Sequence, residues 1–368
     1  MPIYMDRHDV SDAVTAETIA QLHQQDLKIQ EEFGCRGMTY WFDEHRKTAF
    51  CLIDAPDRNA LKKMHDHAHG QVPHSIIEVE PEVVESFLGR IQDPEKSKNT
   101  ELNIIAEAAF RILMVISVNR ETLVEKESSG NRIFLKDFHA GAGKILQSHS
   151  GNIVEHTDYH YLVSFKSVTQ AAHAASEIHK LEKNFEGDKK KKEISVKVGL
   201  SAGVPVTQKQ QIFEDAIKLA ERLCGLVKGE VIVSAEVKDL YKNENANNFI
   251  KGKAIRSLSQ ADEIFITHLM EYFDKVWNDE KFKVDDFIKP LGSSKSRLYR
   301  NMIRLTGDSP NAFVRNYRLK QAVKLMGKSR GNISEIAFET GFTSPSYFTK
   351  CFKKKYGILP ADYLLSQQ

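Results

Sequence analysis

Three sets of residues in this 368-residue chain have types and spacings that can do chemistry. The first is histidine: seven of the fourteen fall within the first 74 residues, at His8, His23, His45, His65, His67, His69 and His74. His65 and His69 are four apart, so on a helix their imidazoles share one face and can share one metal. Imidazole is a borderline ligand that suits Ni²⁺, Zn²⁺ or Cu²⁺, and His8 at a strand end and Cys51 inside FCL are further donors. The alternative is a polar helix flank that collected histidines. The second set mixes cations with small hydroxyls: Ser294, Lys295, Ser296, Arg297, Tyr299 and Arg300, then Ser344, Ser346, Thr349, Lys350 and Lys353. Such groups reach phosphate oxygens and base edges. The third is His156, Asp158 and His160, which form either a metal site or the surface of a hairpin.

The second set needs helices to hold it. In residues 333–360, Ile333, Ile336 and Ala337 give a first helix a narrow apolar face, and Gly341 supplies a turn tolerant of positive φ. Phe348 and Phe352 anchor a second helix across the first, leaving Ser344, Ser346, Thr349 and Lys350 outward with Lys353, Lys354 and Lys355 after them. That is the geometry of a helix-turn-helix in a major groove; a basic surface helix on a helical core is the plainer reading. Residues 284–305 repeat the grammar. Val284, Phe287 and Ile288 form the face, Gly292 the break, Ser293 or Ser294 the N-cap, and Leu298, Met302 and Leu305 the buried stripe. The outer face of that helix also carries Arg304. Leu319, Ala322, Val323 and Met326 mark a connecting helix between the units. The two reading helices start about fifty residues apart, so one rigid domain spans two successive major-groove segments.

The run SSKSRLYRNMIRLTGDSPNAFVRNYRLKQAVKLM followed by ISEIAFETGFTSPSYFTKCFKKKYGILPADY resembles the AraC/XylS DNA-binding domain over about residues 265–368. The resemblance implies a transcription regulator with two helix-turn-helix units, often an activator that also touches RNA polymerase. By motif, the base-reading positions would be Ser296, Tyr299 and Arg300 in the first unit and Ser346, Thr349 and Lys350 in the second.

Charge agrees. The chain as a whole is at +2, but residues 281–368 hold 17 Lys/Arg against 6 Asp/Glu, a local +11 that leaves −9 on the first 280. A basic module on an acidic body suits phosphate neutralisation at one end. Arg315 and Arg318 are either phosphate positioners or solvated helix charges. The four cysteines, Cys35, Cys51, Cys224 and Cys351, show no C-x-x-C spacing, which argues against a zinc ribbon or disulfide framework. No apolar run approaches the ~20 residues of a membrane span, and MPIYMDRHDV lacks the build of a secretory signal, so a cytoplasmic protein without a membrane partner is expected.

Polar stretches at 92–101 and 243–248 divide the chain, and the charge run at 188–193 reads as a solvated loop. No internal repeat is evident beyond the paired helix-turn-helix. The first part reads β-α-β-β-α-β: strands at 2–6, 38–42, 48–53 and 75–79, helices at 16–33 and 57–68. That order predicts a ferredoxin-like fold with helices on one sheet face. YMDRH, HQQD and FCLIDAPDRNALKKMHDHAHG are similar to a small family of ferredoxin-like proteins with nickel-binding members, over about residues 1–90. The resemblance implies metal binding through His8, His65 and His69, with His23 and Asp26 as further positions.

The middle part opens on the buried-strand run ILMVISV within Arg111–Val118 and continues through a helix at 139–147, the strands NIVEH and YHYLVSF, and a long helix striped by Val168, Ala171, Ala175 and Ile178. KVGLSAG and AIKLAERLCGLVKGEVIVSAEVKDLY resemble the class III nucleotidyl cyclase homology domain. Active members hold two metals on two carboxylates. Here Ile116 stands at the first carboxylate place and Tyr159 at the second, with Asp158 one residue off, while Arg222 remains and Lys218 replaces an Asn. Catalysis is therefore not expected, and because cyclase domains work as dimers the resemblance implies a homodimer.

The expected protein is α+β and multidomain: a ferredoxin-like, nickel-binding sensor at 1–95, a degenerate cyclase-like α/β sandwich for dimerisation or sensing at 106–245, and an all-α double helix-turn-helix at 260–368. It would be a non-enzymatic, sequence-specific regulator of double-stranded DNA, controlled by a metal or small-molecule effector that respaces two DNA-binding heads. The rival readings are a metal-binding protein, or a nucleotidyl cyclase, with an accessory DNA-binding tail.

Overall fold

The computed structural model describes residues 1–95, 102–120, 129–184, 194–245, 255–328 and 332–367. The charge run at 188–193 and parts of the polar stretches, 96–101 and 246–248, lie outside these. Among the described residues, no helix is long and apolar enough to cross a membrane.

The chain begins with β1 (Ile3–Asp9), α1 (Ala16–Ile29), β2 (Arg36–Asp43), β3 (Thr48–Asp54), α2 (Arg58–His69) and β4 (Ser75–Val79). Local chemistry sets the ends. Thr15 caps α1 through a reciprocal box with Thr18, and Asp57 caps α2 by accepting from the Asn59 and Ala60 amides at 2.8 Å each. The helix expected over 16–33 stops as α-helix at Ile29, and a 3₁₀ turn at Gln30–Phe33 leads into Gly34 at φ +61. The four strands form an antiparallel sheet ordered β2-β3-β1-β4.

α3 (Pro81–Leu88) leads to β5 (Arg111–Arg120), α4 (Ser129–Ser148), β6 (Asn152–Thr157), β7 (His160–Phe165), α5 (Val168–Asn184), β8 (Ile194–Gly203), α6 (Glu214–Leu226), β9 (Val231–Val233), α7 (Ala235–Glu244) and β10 (Ile255–Ser257). The second sheet runs β10-β9-β8-β5-β7-β6. Its core, β8-β5-β7-β6, places the fourth, first, third and second strands of a β-α-β-β-α-β unit side by side, the same order as in the first sheet. The chain therefore repeats one topology in tandem, a repeat that no residue pattern reveals.

The two sheets share a core. Alternation along each strand sends Tyr4, Tyr40, Phe42 and Cys51 under α1 and α2. Met5, Trp41, Phe50 and Leu52 go to the opposite face, where they join Leu113, Val115 and Leu162 of the second sheet together with Phe87 of α3 and Phe213 beside α6. The other face of the second sheet, with Met114, Ile116 and Val163, is covered by α4, α5 and α7. Buried Arg111 ties the corner, donating to the carbonyls of Phe87, Leu88, Ala108 and Phe110 and pairing with Glu107 at 3.3 Å.

The C-terminal region is helical: α8 (Gln260–Val276), α9 (Lys295–Thr306), α10 (Pro310–Gly327), α11 (Ile333–Glu339), α12 (Pro345–Tyr356) and α13 (Pro360–Gln367). The expected first helix at 284–288 is instead a 3₁₀ turn, Val284–Phe287. Pro290 supplies no N–H and disfavours helical backbone at Lys289, so a full α-turn cannot continue there. A seam of Leu223, Val227, Ile232, Leu258, Ile266 and Leu305 seats this region on the second sheet domain, and the Lys228 amide donates to the Leu305 carbonyl at 2.7 Å.

Because Trp41 is fully buried between the sheets, Trp41→Ala is expected to lower unfolding free energy by about 3–5 kcal/mol. Denaturant titration checks this; a change under about 1 kcal/mol would contradict the shared core.

Candidate metal centre and nucleic-acid interface

β1, β3, α1 and α2 bring six donor residues together. Strand alternation puts Asp6 and His8 on the helix-covered face, next to Cys51 of the neighbouring strand, since Asp6 pairs with Cys51 in register. His65 and His69 come down from α2 and Asp26 from α1. His65 sits between two carboxylates, Nε2 at 2.9 Å from Asp6 Oδ2 and Nδ1 at 3.1 Å from Asp26 Oδ1. His69 Nε2 is 3.2 Å from Asp26 Oδ1, and His8 Nε2 is 3.3 Å from Asp6 Oδ1. Two overlapping groups result, Asp6–His8–Cys51–His65 and Asp26–His65–His69, each with its ligand atoms within 4.8 Å of one another. They border a cavity of about 360 Å³.

Burial alone would drive Asp6 toward its neutral form, but His8 and His65 beside it hold the carboxyl below the usual range. Burial likewise disfavours a charged His65; Asp6 and Asp26 outweigh it and lift the imidazole to about 10. Burial pushes the Cys51 thiol up, and Asp6 adds to this. The His8 Nε2 is buried without a well-formed hydrogen bond, as a nitrogen with its lone pair free for a cation would be. Imidazole, carboxylate and thiol together fit a borderline divalent metal. His23 belongs to neither group: its Nε2 lies 3.4 Å from Asp93 and its ring packs on Tyr40. Asp6 was not anticipated as a candidate, although a carboxylate inside the strand IYMDRHD, one alternation from His8, was the available signal.

The helical region has two units. In the first, Ser294 caps α9 by accepting from the Arg297 amide at 3.3 Å. Lys295, Ser296, Arg297 and Arg300 are exposed and Tyr299 half-buried, over the buried Leu298, Met302 and Leu305. Lys295 Nζ is 2.9 Å from Asp285. In the second, Asn332 and Glu335 close a capping box on α11. Ser344 caps α12, accepting from the Tyr347 amide at 3.3 Å. Ser346, Lys350 and Lys353 are exposed and Thr349 half-buried, opposite the buried Phe348, Phe352 and Tyr356. Arg297, Arg300, Lys350 and Lys353 have no carboxylate partner among the described residues. Tyr347, 52% exposed beside Ser346, was not among the expected residues, although its place off the apolar stripe was the available signal.

One arginine differs from expectation. Arg318 is buried and its guanidinium donates to the carbonyls of Trp277, Asp279 and Gly341, each at 2.7 Å. It therefore braces the turn and is neither a phosphate positioner nor a solvated charge. Gly341, at φ +78, is needed there because a Cβ would come within 2.9 Å of that guanidinium. Arg304 is exposed on the outer face, as expected, but is paired with Asp262 at the seam.

In the middle domain Ile116 is fully buried under the helices, with Val115 and Ser117 facing the other way. None of the three is a carboxylate. Tyr159 sits at the β6–β7 hairpin, its carbonyl accepting from the Val118 amide at 3.0 Å. Lys218 is paired with Glu214. Among the described residues His156, Asp158 and His160 form no metal-capable group.

The metal-free protein should lose stability as pH rises. His65 titrates at about 10 in the fold against 6.5 as an ordinary imidazole, so its contribution is complete below about 6.5 and disappears toward 10. Melting temperatures across that range should fall, and fall less in His65→Gln. Since ligation needs a neutral imidazole, Ni²⁺ affinity should rise with pH and binding should release protons. A flat wild-type profile together with pH-independent Ni²⁺ affinity would refute this account.

Comparisons with known proteins give two family matches: the nickel responsive protein SCO4226-like family at residues 4–79, and the helix-turn-helix domain family HTH_18 at 289–366. The chain is 35% identical over 107 residues to histidine kinase P4 of Formosa agariphila, covering 29% of this chain and 8% of that one. It is 31% identical over 85 residues to the HTH-type transcriptional regulator MtrA of Neisseria gonorrhoeae, covering 23% and 28%. The chain thus spans less than a third of the length of these curated relatives. Among solved structures, SCO4226 from Streptomyces coelicolor A3(2) is 28% identical, covering 21% of this chain and 94% of that one, with a TM-score of 0.20. A bacterial light-regulated adenylyl cyclase is 11% identical, covering 65% and 86%, with a TM-score of 0.29. The chain carries a domain similar to the SCO4226-like family toward its N-terminus and an AraC-type helix-turn-helix domain toward its C-terminus.

Proposed function

We propose that the chain is a sequence-specific, non-enzymatic transcription regulator whose DNA reader answers to a divalent metal, nickel first among them, in the N-terminal domain. The observation that carries this reading is the pair of capped helices, α9 and α12, whose outer faces hold Arg297, Arg300, Lys350 and Lys353, without a carboxylate partner among the described residues, over buried stripes. Ser296, Tyr299 and Arg300, then Ser346, Thr349 and Lys350, are the base-edge positions. Lys295, Arg297 and Lys353 serve phosphates, while Ser294 and Ser344 fix the helix starts that face the backbone. The match to transcriptional regulators such as MtrA supports the same direction.

Asp6, His8, Cys51 and His65, with Asp26 and His69 adjoining, would hold the metal. A bound cation there would supply charge that stands in for the proton on His65 between the two carboxylates. Support for an inert middle domain comes from Ile116, Tyr159 and Lys218 at places where cyclase chemistry needs carboxylates and an amide. That domain is assigned a role in homodimerisation or in carrying the signal. A homodimer presents two readers to a repeated site, and contact with RNA polymerase belongs to the same reading.

Arg300→Ala and Lys350→Ala should each weaken specific binding by about 1–3 kcal/mol and relax selectivity at one position, whereas Lys353→Ala should weaken binding to all sequences and lower the salt slope by about 1. Fluorescence anisotropy on sites selected from random DNA reads both effects. Unchanged affinity and selectivity in both of the first two variants would leave a metal-binding protein with an incidental basic tail.

A further inference from the structure

A groove of about 1230 Å³ lies between the middle domain and the reader, walled by α6, α8 and α10. Of the seven lysines on its lining, four from three elements cluster around Lys320: Lys197 of β8, Lys320 and Lys324 of α10, and Lys355 of α12. None of these four forms an ion pair among the described residues. Lys355 Nζ donates to the Asn316 carbonyl at 3.1 Å and lies 5.3 Å from the centre of the Tyr356 ring. Six carboxylates line the same groove, among them Asp308, which attracts Lys355 and accepts from Asn316 Nδ2 at 2.9 Å, and Asp274, which accepts from the Tyr317 hydroxyl at 3.1 Å. Seven lysines and Arg222 still exceed those six carboxylates, and the repulsion among the clustered lysines is a penalty that an anion removes.

We propose that this lysine-lined end of the groove binds a small molecule carrying a di- or polyphosphate, of nucleotide size, and that the ligand clamps the middle domain to the reader. Two features favour a small ligand over a DNA backbone. The groove is concave and partly built from the middle domain, and its lining includes none of Ser296, Arg300, Ser346, Thr349 or Lys350. Phe313 and Tyr317 on the same lining give an apolar body somewhere to rest. The ammonium groups also sense one another: burial and then Lys320 push Lys355 down to about 8, and burial and then Lys324 lower Lys320. The site does not depend on the DNA-binding reading, since it is defined without DNA.

Isothermal titration of the full chain with inorganic pyrophosphate, without DNA and at near-physiological salt, tests it. Saturable binding is expected, about tenfold weaker in Lys320→Gln/Lys324→Gln, the size of losing one or two charge-assisted contacts. Sulfate at matched ionic strength should not compete. The double variant should melt no lower than wild type when ligand-free, because repulsion is removed, and Lys355→Gln should behave likewise. No saturable heat, equal affinity in the double variant, or full competition by sulfate would overturn the proposal. So would lysine variants that lower only the salt slope of DNA binding while pyrophosphate stays inert, which would assign the lysines to the duplex.

Discussion

An apolar sheet face cannot be left in water, and Met5, Trp41, Phe50 and Leu52 make the open side of the N-terminal sheet strongly apolar. It is covered by the equivalent side of a second sheet with the same strand order, through Leu113, Val115 and Leu162. α6 joins this shared core with Ala216, Ala220 and Cys224 and contributes Leu223 to the next seam, against Ile266 and Leu305. Packed interiors do not deform continuously. A change at the first sheet therefore has a contiguous route to the end of α9, where Arg256 also donates to the carbonyls of Lys228 and Arg304.

The same sheet carries the charge problem of the molecule. Asp6 is fully buried; it accepts from the Cys51 amide and pairs with His65 at 2.9 Å, with the His8 imidazole 3.3 Å away. Buried carboxylates persist when paired and satisfied, and here a proton on His65 does the pairing between Asp6 and Asp26. A divalent cation can take over that part with more charge and fixed geometry, so proton and metal compete for one set of atoms. Because Met5 and Cys51 flank Asp6 along and across the strands, the competition happens one residue away from the face that packs on the second sheet.

Much of this was legible in the chain. The 3.6-residue stripes of Leu298–Met302–Leu305 and Phe348–Phe352 located the reading helices, and Ser294 and Ser344 marked their starts. The i, i+4 pair His65 and His69 located part of the donor cluster. What the sequence hid depended on tertiary placement. His23 shares a helix with Asp26 but faces Asp93, and Asp6 reads as an ordinary polar residue until strand pairing sets it beside Cys51. Arg318 looks like a solvated charge from spacing alone, yet it is buried and three carbonyls claim it, while exposed Arg304 is paired with Asp262. The tandem β-α-β-β-α-β repeat is one of topology, carried by alternation and strand order, with different side chains in each copy.

The central claim is that metal in the N-terminal domain changes where and how tightly the helical reader meets DNA. Mapping the protein's bound sites across its genome, in cells grown with and without added nickel, tests it most directly. The account expects a defined set of sites sharing a repeated motif, with occupancy that changes with nickel and ceases to change in His65→Gln. Occupancy indifferent to nickel in the wild type, or the absence of any preferred motif, would contradict it.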